Sequence, residues 1–131
     1  MKLYTLPEAS NLLPELTPVL ESLRDAYRDL QALRTSVAAE ARGASGDGHL
    51  LADPWAEAVG EDRRGSAADT LQVAARKLEE WGIEVKAPEK GLIDFFHQRD
   101  DRVVYLCYLL GEPKISFWHE LNAGFAGRQP L

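Results

Sequence analysis

The sequence predicts an α+β fold: a long antiparallel helical hairpin packed on a small C-terminal antiparallel β-meander. Three observations carry that prediction. In the first half, Leu13, Leu16, Leu20, Leu23, Tyr27 and Leu30 are spaced 3-4-3-4-3, which lays one apolar stripe along a helix. After Gly82 the apolar period shortens to two, the repeat of a pleated strand. At 131 residues the chain can bury roughly two thirds of its unfolded surface, enough for one core without staples. A single domain over 1–131 follows, with a helical part at about 6–82, a meander at about 83–119 and an irregular tail at 120–131.

The first helix has two candidate starts. Thr5 with Glu8 three residues on has the form of a capping box, and Asn11 is a second cap. Pro14 and Pro18 suit a first turn better than an interior, because each removes a donor and crowds the preceding turn. The expectation is a short turn near Leu6–Leu12, then a long helix from about Pro14 to Ala41 with a kink near Pro18. Its stripe includes a coiled-coil-like heptad series, Leu16, Leu23, Leu30 and Val37. Glu21, Arg24, Asp25, Arg28 and Asp29 face water on the other side, where Asp25 and Arg28 can pair.

Residues 42–53 hold three glycines and read as a flexible loop. Asp53-Pro54 caps a short helix over Pro54–Val59, interrupted by the charged run Glu61-Asp62-Arg63-Arg64 and Gly65. Ser66 then caps a second long helix carrying Ala67, Leu71, Ala74, Leu78 and Trp81, and Gly82 closes it. The strands follow: Ile83–Val85, Leu92–His97 and Val103–Leu110, then Ile115–His119 after a turn at Gly111–Lys114. Val103–Leu110 is apolar on both faces and belongs in the sheet's centre.

Charge and composition narrow the function. Fifteen Lys and Arg against 21 Asp and Glu give a net charge of −6, the wrong sign for nucleic acid or an anionic membrane. One cysteine makes neither an internal disulfide nor a Cys-rich zinc knuckle. The first residues lack the apolar core of a signal peptide and no apolar run approaches 18 residues, so a soluble cytoplasmic protein is expected. No phosphate-binding loop, Gly-x-Ser-x-Gly elbow, Cys-x-x-Cys or metalloprotease helix motif is present, which turns the reading away from an enzyme.

The C-terminal third carries a joint pattern in fixed order: Gly91-Leu92-Ile93-Asp94-Phe95, Val104-Tyr105-Leu106-Cys107, Gly111-Glu112-Pro113, Trp118-His119-Glu120 and Gly124-Phe125-Ala126-Gly127-Arg128-Gln129-Pro130. With Glu8-Ala9 and Leu12-Leu13-Pro14-Glu15-Leu16, it closely resembles domain-of-unknown-function family 2203, a family of small bacterial and archaeal proteins. The resemblance covers residues 3–40 and 66–130, and Tyr108 stands where the family's tryptophan is expected. It implies the fold and an intracellular setting, and brings no catalytic role or cofactor with it.

The polar residues able to do chemistry are Asp94, His97, Cys107, His119, Glu120 and Arg128. With two-residue turns at Asp100-Asp101 and Glu112-Pro113, Asp94, Cys107 and Trp118 share one cross-strand row, and Phe95, Leu106 and His119 the next. Cys107 and His119 then diverge, and His97 lies roughly 12 Å from His119. A one-residue slip in either turn reverses that result. His119, Glu120 and His97 are therefore weak metal ligands in this register, and Cys107 reads as a small buried apolar residue. Asp94 needs a buried partner, which Arg128 or a tail amide can supply. Trp118, His119 and Glu120, before a glycine-punctuated tail, can line a small-ligand pocket with Asp94 and Arg128.

The leading expectation is a non-enzymatic interaction or regulatory module, a homodimer joined through its long helices, with a protein partner as its target. The first helix should overhang the second and leave an apolar patch for another subunit. The alternative is a small-ligand or metal-binding domain, with its site at Asp94, His119, Glu120 and Arg128.

Overall fold

The computed structural model describes the backbone of residues 1–43 and 54–131, and the side chains of residues 1–35 and 64–131. Helix α1 spans Leu6–Gly43 and α2 spans Pro54–Glu80. Five strands follow: β1 (Ile83–Ala87), β2 (Leu92–Arg99), β3 (Arg102–Leu109), β4 (Phe117–His119) and β5 (Gln129–Pro130). They form one antiparallel sheet in the order β1-β2-β3-β4-β5, so the α+β reading stands. Among the described residues no helix is long and apolar enough to cross a membrane.

Helix α1 starts at the earlier of its two candidate caps. The Thr5 amide donates to Glu8 Oε1 at 3.1 Å, and the Glu8 amide donates to Thr5 Oγ1 at 3.2 Å, a reciprocal capping box. The helix then runs through Pro14 and Pro18 without a break, where the sequence predicted a separate first turn. Both prolines are exposed and four residues apart, so the carbonyls they leave unpaired belong to the solvent side of the helix. The stripe is buried as predicted at Leu16, Leu20 and Leu23, with Leu13, Tyr27 and Leu30 half-buried. Arg28 does not pair with Asp25: its Nε donates to the Glu89 carbonyl at 2.9 Å, while Arg24 takes Asp25 at 2.9 Å.

Helix α2 is likewise one element from Pro54 onward, continuous through Gly65 rather than restarting at Ser66. Helical propagation across one glycine costs about 1 kcal/mol, which packing against α1 offsets. Ala67, Ala74 and Leu78 are its buried face, and Gly82 ends it with φ +73°. The expected loop at 42–53 lies, from residue 44 onward, outside the described residues, as does the side chain of Val37 on the predicted overhang.

The sheet lays one face on the helices. Ile83, Ile93, Phe95, Val104, Leu106, Tyr108 and Trp118 join Leu16, Leu20, Ala74 and Leu78 in a single core. Tyr4 completes it: its ring meets Phe95 edge-on at 5.1 Å, its amide donates to the Phe96 carbonyl at 2.7 Å, and its hydroxyl bonds the Trp81 carbonyl. Leu3 thereby forms a parallel bridge to Phe96 beyond the end of β1. The predicted irregular tail is partly regular. A 3-10 turn at Phe125–Gly127 leads into β5, which pairs Gln129 with Trp118 and Pro130 with Phe117.

Candidate functional site

Pairing between β2 and β3 has the register that a two-residue turn at Asp100-Asp101 dictates: Asp94 opposite Cys107, Phe95 opposite Leu106. The next hairpin departs from expectation by one residue. Phe117, not Trp118, stands opposite Cys107, and His119 stands opposite Tyr105. The cause lies in the connection. The Glu112 amide donates to the Leu109 carbonyl at 3.0 Å, and the Leu109 amide donates back to Glu112 Oε1 at 2.6 Å. That capture closes a turn at Gly111 (φ +104°), and pairing resumes only at Phe117.

A one-residue slip exchanges the two faces of a strand. Trp118 therefore goes to the helical core, and the Arg99 guanidinium stacks 4.4 Å from its ring centroid. His119 turns to the outer face, beside Asp94 and Cys107. This corrects the predicted divergence of Cys107 from His119, and it removes Trp118 from the site.

The three side chains are buried, Asp94 at 1%, Cys107 at 1% and His119 at 2% exposure. Their ligand-capable atoms lie within 4.8 Å of one another. His119 Nε2 is 3.0 and 3.1 Å from the two Asp94 carboxyl oxygens, and its Nδ1 is 2.8 Å from the Glu120 carbonyl. A carbonyl only accepts, so Nδ1 carries a hydrogen and donates it. Burial pushes the Asp94 carboxyl above its usual range, against the pull of His119. Burial first, and then the Asp94 charge, pushes the Cys107 thiol up to about 12.

This is not a nucleophile's arrangement. A thiol is activated by an imidazole placed between it and the carboxylate. Here Asp94 engages His119 Nε2, the backbone takes Nδ1, and neither nitrogen is left to accept the thiol proton. Neither of the two grooves described below touches the cluster.

The other predicted residues disperse. Arg128 serves Glu112 rather than Asp94: its NH2 donates to Glu112 Oε1 at 2.6 Å, and its guanidinium stacks 4.2 Å from the Phe117 ring and 4.6 Å from Phe125. Glu120 makes a surface fork with Arg102, whose Nε lies 3.0 Å from Oε1. His97 points to the helical side, where Nδ1 bonds the Tyr4 carbonyl at 2.7 Å. Only Asp94 and His119 of the predicted set meet. Sequence reasoning set aside the third member, Cys107, although the Asp94–Cys107 pairing was already implied by the short turn.

A family profile described as uncharacterized conserved protein (DUF2203) matches residues 2–131. The chain belongs to this family. The match takes in α1, α2 and every strand named above. No curated protein and no solved structure matches the chain.

Two grooves flank the hairpin. One, of about 400 Å³, lies between the helices and is lined by Pro18, Val19 and Ser22 from α1 and by Asp69, Thr70, Val73, Ala74 and Lys77 from α2. The other, of about 630 Å³, runs between α1 and the β3–β4 turn, past Thr17, Arg24, Tyr108 and Glu112.

Proposed function

We propose that the protein is a non-enzymatic interaction module that acts as a homodimer through the outer face of its helical hairpin. The supporting observation is the order of residues along the groove between the helices. Val73 is 68% exposed there, and Asp69 and Lys77 stand four residues to either side of it. Residues four apart share a helix face. When α2 meets α2 of a second copy antiparallel across a two-fold axis at Val73, valine packs on valine. Each Asp69 then meets Lys77 of the second copy. Such self-complementarity is what an isologous interface requires. A single exposed valine is ordinary on a monomer; a valine in an apolar groove between opposite charges in two-fold order is a more specific feature.

The proposed contact lies on the α1–α2 groove, whereas the sequence pointed to the overhang of α1. A free cysteine and a net charge of −6 accord with a cytoplasmic protein whose targets are proteins rather than nucleic acid or membrane.

Light scattering at tens of micromolar tests the reading. The expected mass is twice 14.6 kDa for the unaltered chain. Asp69→Lys and Lys77→Asp should each give monomer, and the double charge swap should restore dimer. A monomer mass for the unaltered chain, or a dimer indifferent to Val73→Arg, overturns the proposal.

A further inference from the structure

We propose that Asp94, Cys107 and His119 form a binding site for a divalent transition metal of the zinc class, one ion per chain, with a ligand from each of three adjacent strands. The argument starts from the pleat. Asp94 and Cys107 are directly opposed on β2 and β3, and the β3–β4 register brings His119, two residues beyond Phe117, to the same face. Three different strands thus supply one oxygen, one nitrogen and one sulfur, a mixed set suited to zinc.

His119 supplies the second, independent observation. With its Nδ1 hydrogen donated to the Glu120 carbonyl, His119 aims Nε2 at the two Asp94 carboxyl oxygens, 3.0 and 3.1 Å away. A proton shared between Nε2 and the carboxylate fills that position, and a metal ion bound by both groups takes its place. An imidazole whose other nitrogen is fixed by a carbonyl is also the usual arrangement of a metal-ligating histidine. Ligand atoms around a tetrahedral zinc lie roughly 3.3–3.7 Å apart. The present separations, from 3.0 Å to within 4.8 Å, reach that shape through small side-chain rotations.

Charge balance agrees. One carboxylate, one thiolate and one neutral imidazole around a doubly charged cation sum to zero, which suits a site this buried. The charged and titratable groups around it are Glu84 and Lys86 from β1, Tyr105 from β3 and Arg128 from the tail; Lys86 and Tyr105 already engage Glu84, and Arg128 engages Glu112. The three ligands are buried and lie outside both grooves described above, so the ion's role is to clamp β2, β3 and β4 together.

The test uses full-length protein made without a metal-affinity tag, stripped with a chelator and titrated with zinc, then with cobalt(II). Native mass spectrometry should show one ion per chain, and cobalt should develop the sulfur-to-metal charge-transfer absorption of a thiolate ligand. Cys107→Ser and His119→Ala should each weaken zinc binding at least tenfold, with Cys107→Ser also abolishing the charge-transfer band. His97→Ala, on the opposite face, should change neither. Circular dichroism of Cys107→Ser, a near-isosteric change, separates lost ligation from lost fold. Absence of stoichiometric zinc or cobalt, or binding that survives both ligand substitutions, overturns the proposal.

Discussion

The two faces of the sheet are made by the same strands, yet their alternate residues solve different problems. On the inner face Ile93, Phe95, Val104, Leu106 and Trp118 pack on the hairpin, and hydrophobic burial alone accounts for their placement. On the outer face Asp94, Cys107 and His119 are as deeply buried, but they are polar and meet one another. Neighbouring side chains on that face include Tyr105, 5.3 Å from the His119 ring, and Phe117, with the Arg128 guanidinium 4.2 Å from its ring. The inner face tolerates swaps of similar volume; the outer one depends on pairings that must all be present.

The largest test of that contrast is on the inner side. Phe95→Ala should cost about 3–5 kcal/mol of unfolding free energy in denaturant titration, as a cavity in a close-packed core does. On the outer side Asp94→Ala should cost about 1–3 kcal/mol by leaving the His119 Nε2 without its partner. His119→Ala should cost a similar amount, and the double variant much less than the sum. Strict additivity there would show that the two residues act separately.

Gly91 closes the turn that leads into β2. It sits at φ +69°, and a Cβ would lie 2.7 Å from Leu110 Cβ, so Gly91→Ala should cost about 1–2 kcal/mol or more. The smallest effect is at the rim. The Lys86 ammonium, more than the Tyr105 hydroxyl, holds the Glu84 carboxyl below its usual range. A group with a depressed pKa stabilises the fold above its unfolded value and loses that contribution as pH falls through the folded one. An NMR titration should therefore place Glu84 below 4.5, and Lys86→Met should move it back up.

What was legible in the sequence follows the same division. The helical stripe, the capping box, the glycine at 82 and the β2–β3 register depend on local spacing, and a single chain displays it. The helix breaks expected near Pro14 and Gly65 did not occur, because packing along a long hairpin outweighs one poor residue. The polar cluster was missed for a narrower reason. A loop that pairs by side chain, Glu112 onto the Leu109 amide, shifts β4 by one residue, and one residue decides which of Trp118 and His119 faces inward. Spacing alone does not reveal that capture.

The bridge from Leu3 to Phe96 and the Tyr4 bonds to Phe96 and Trp81 have a consequence in time. Leu3 and Tyr4 are fastened by partners that leave the ribosome about 80–90 residues after them, some 4–18 s at usual synthesis rates. Through that interval Tyr4 has no partner for its amide or its ring, although α1 can already coil. The hairpin is thus made before its base is sealed, and the seal closes only when β2 emerges.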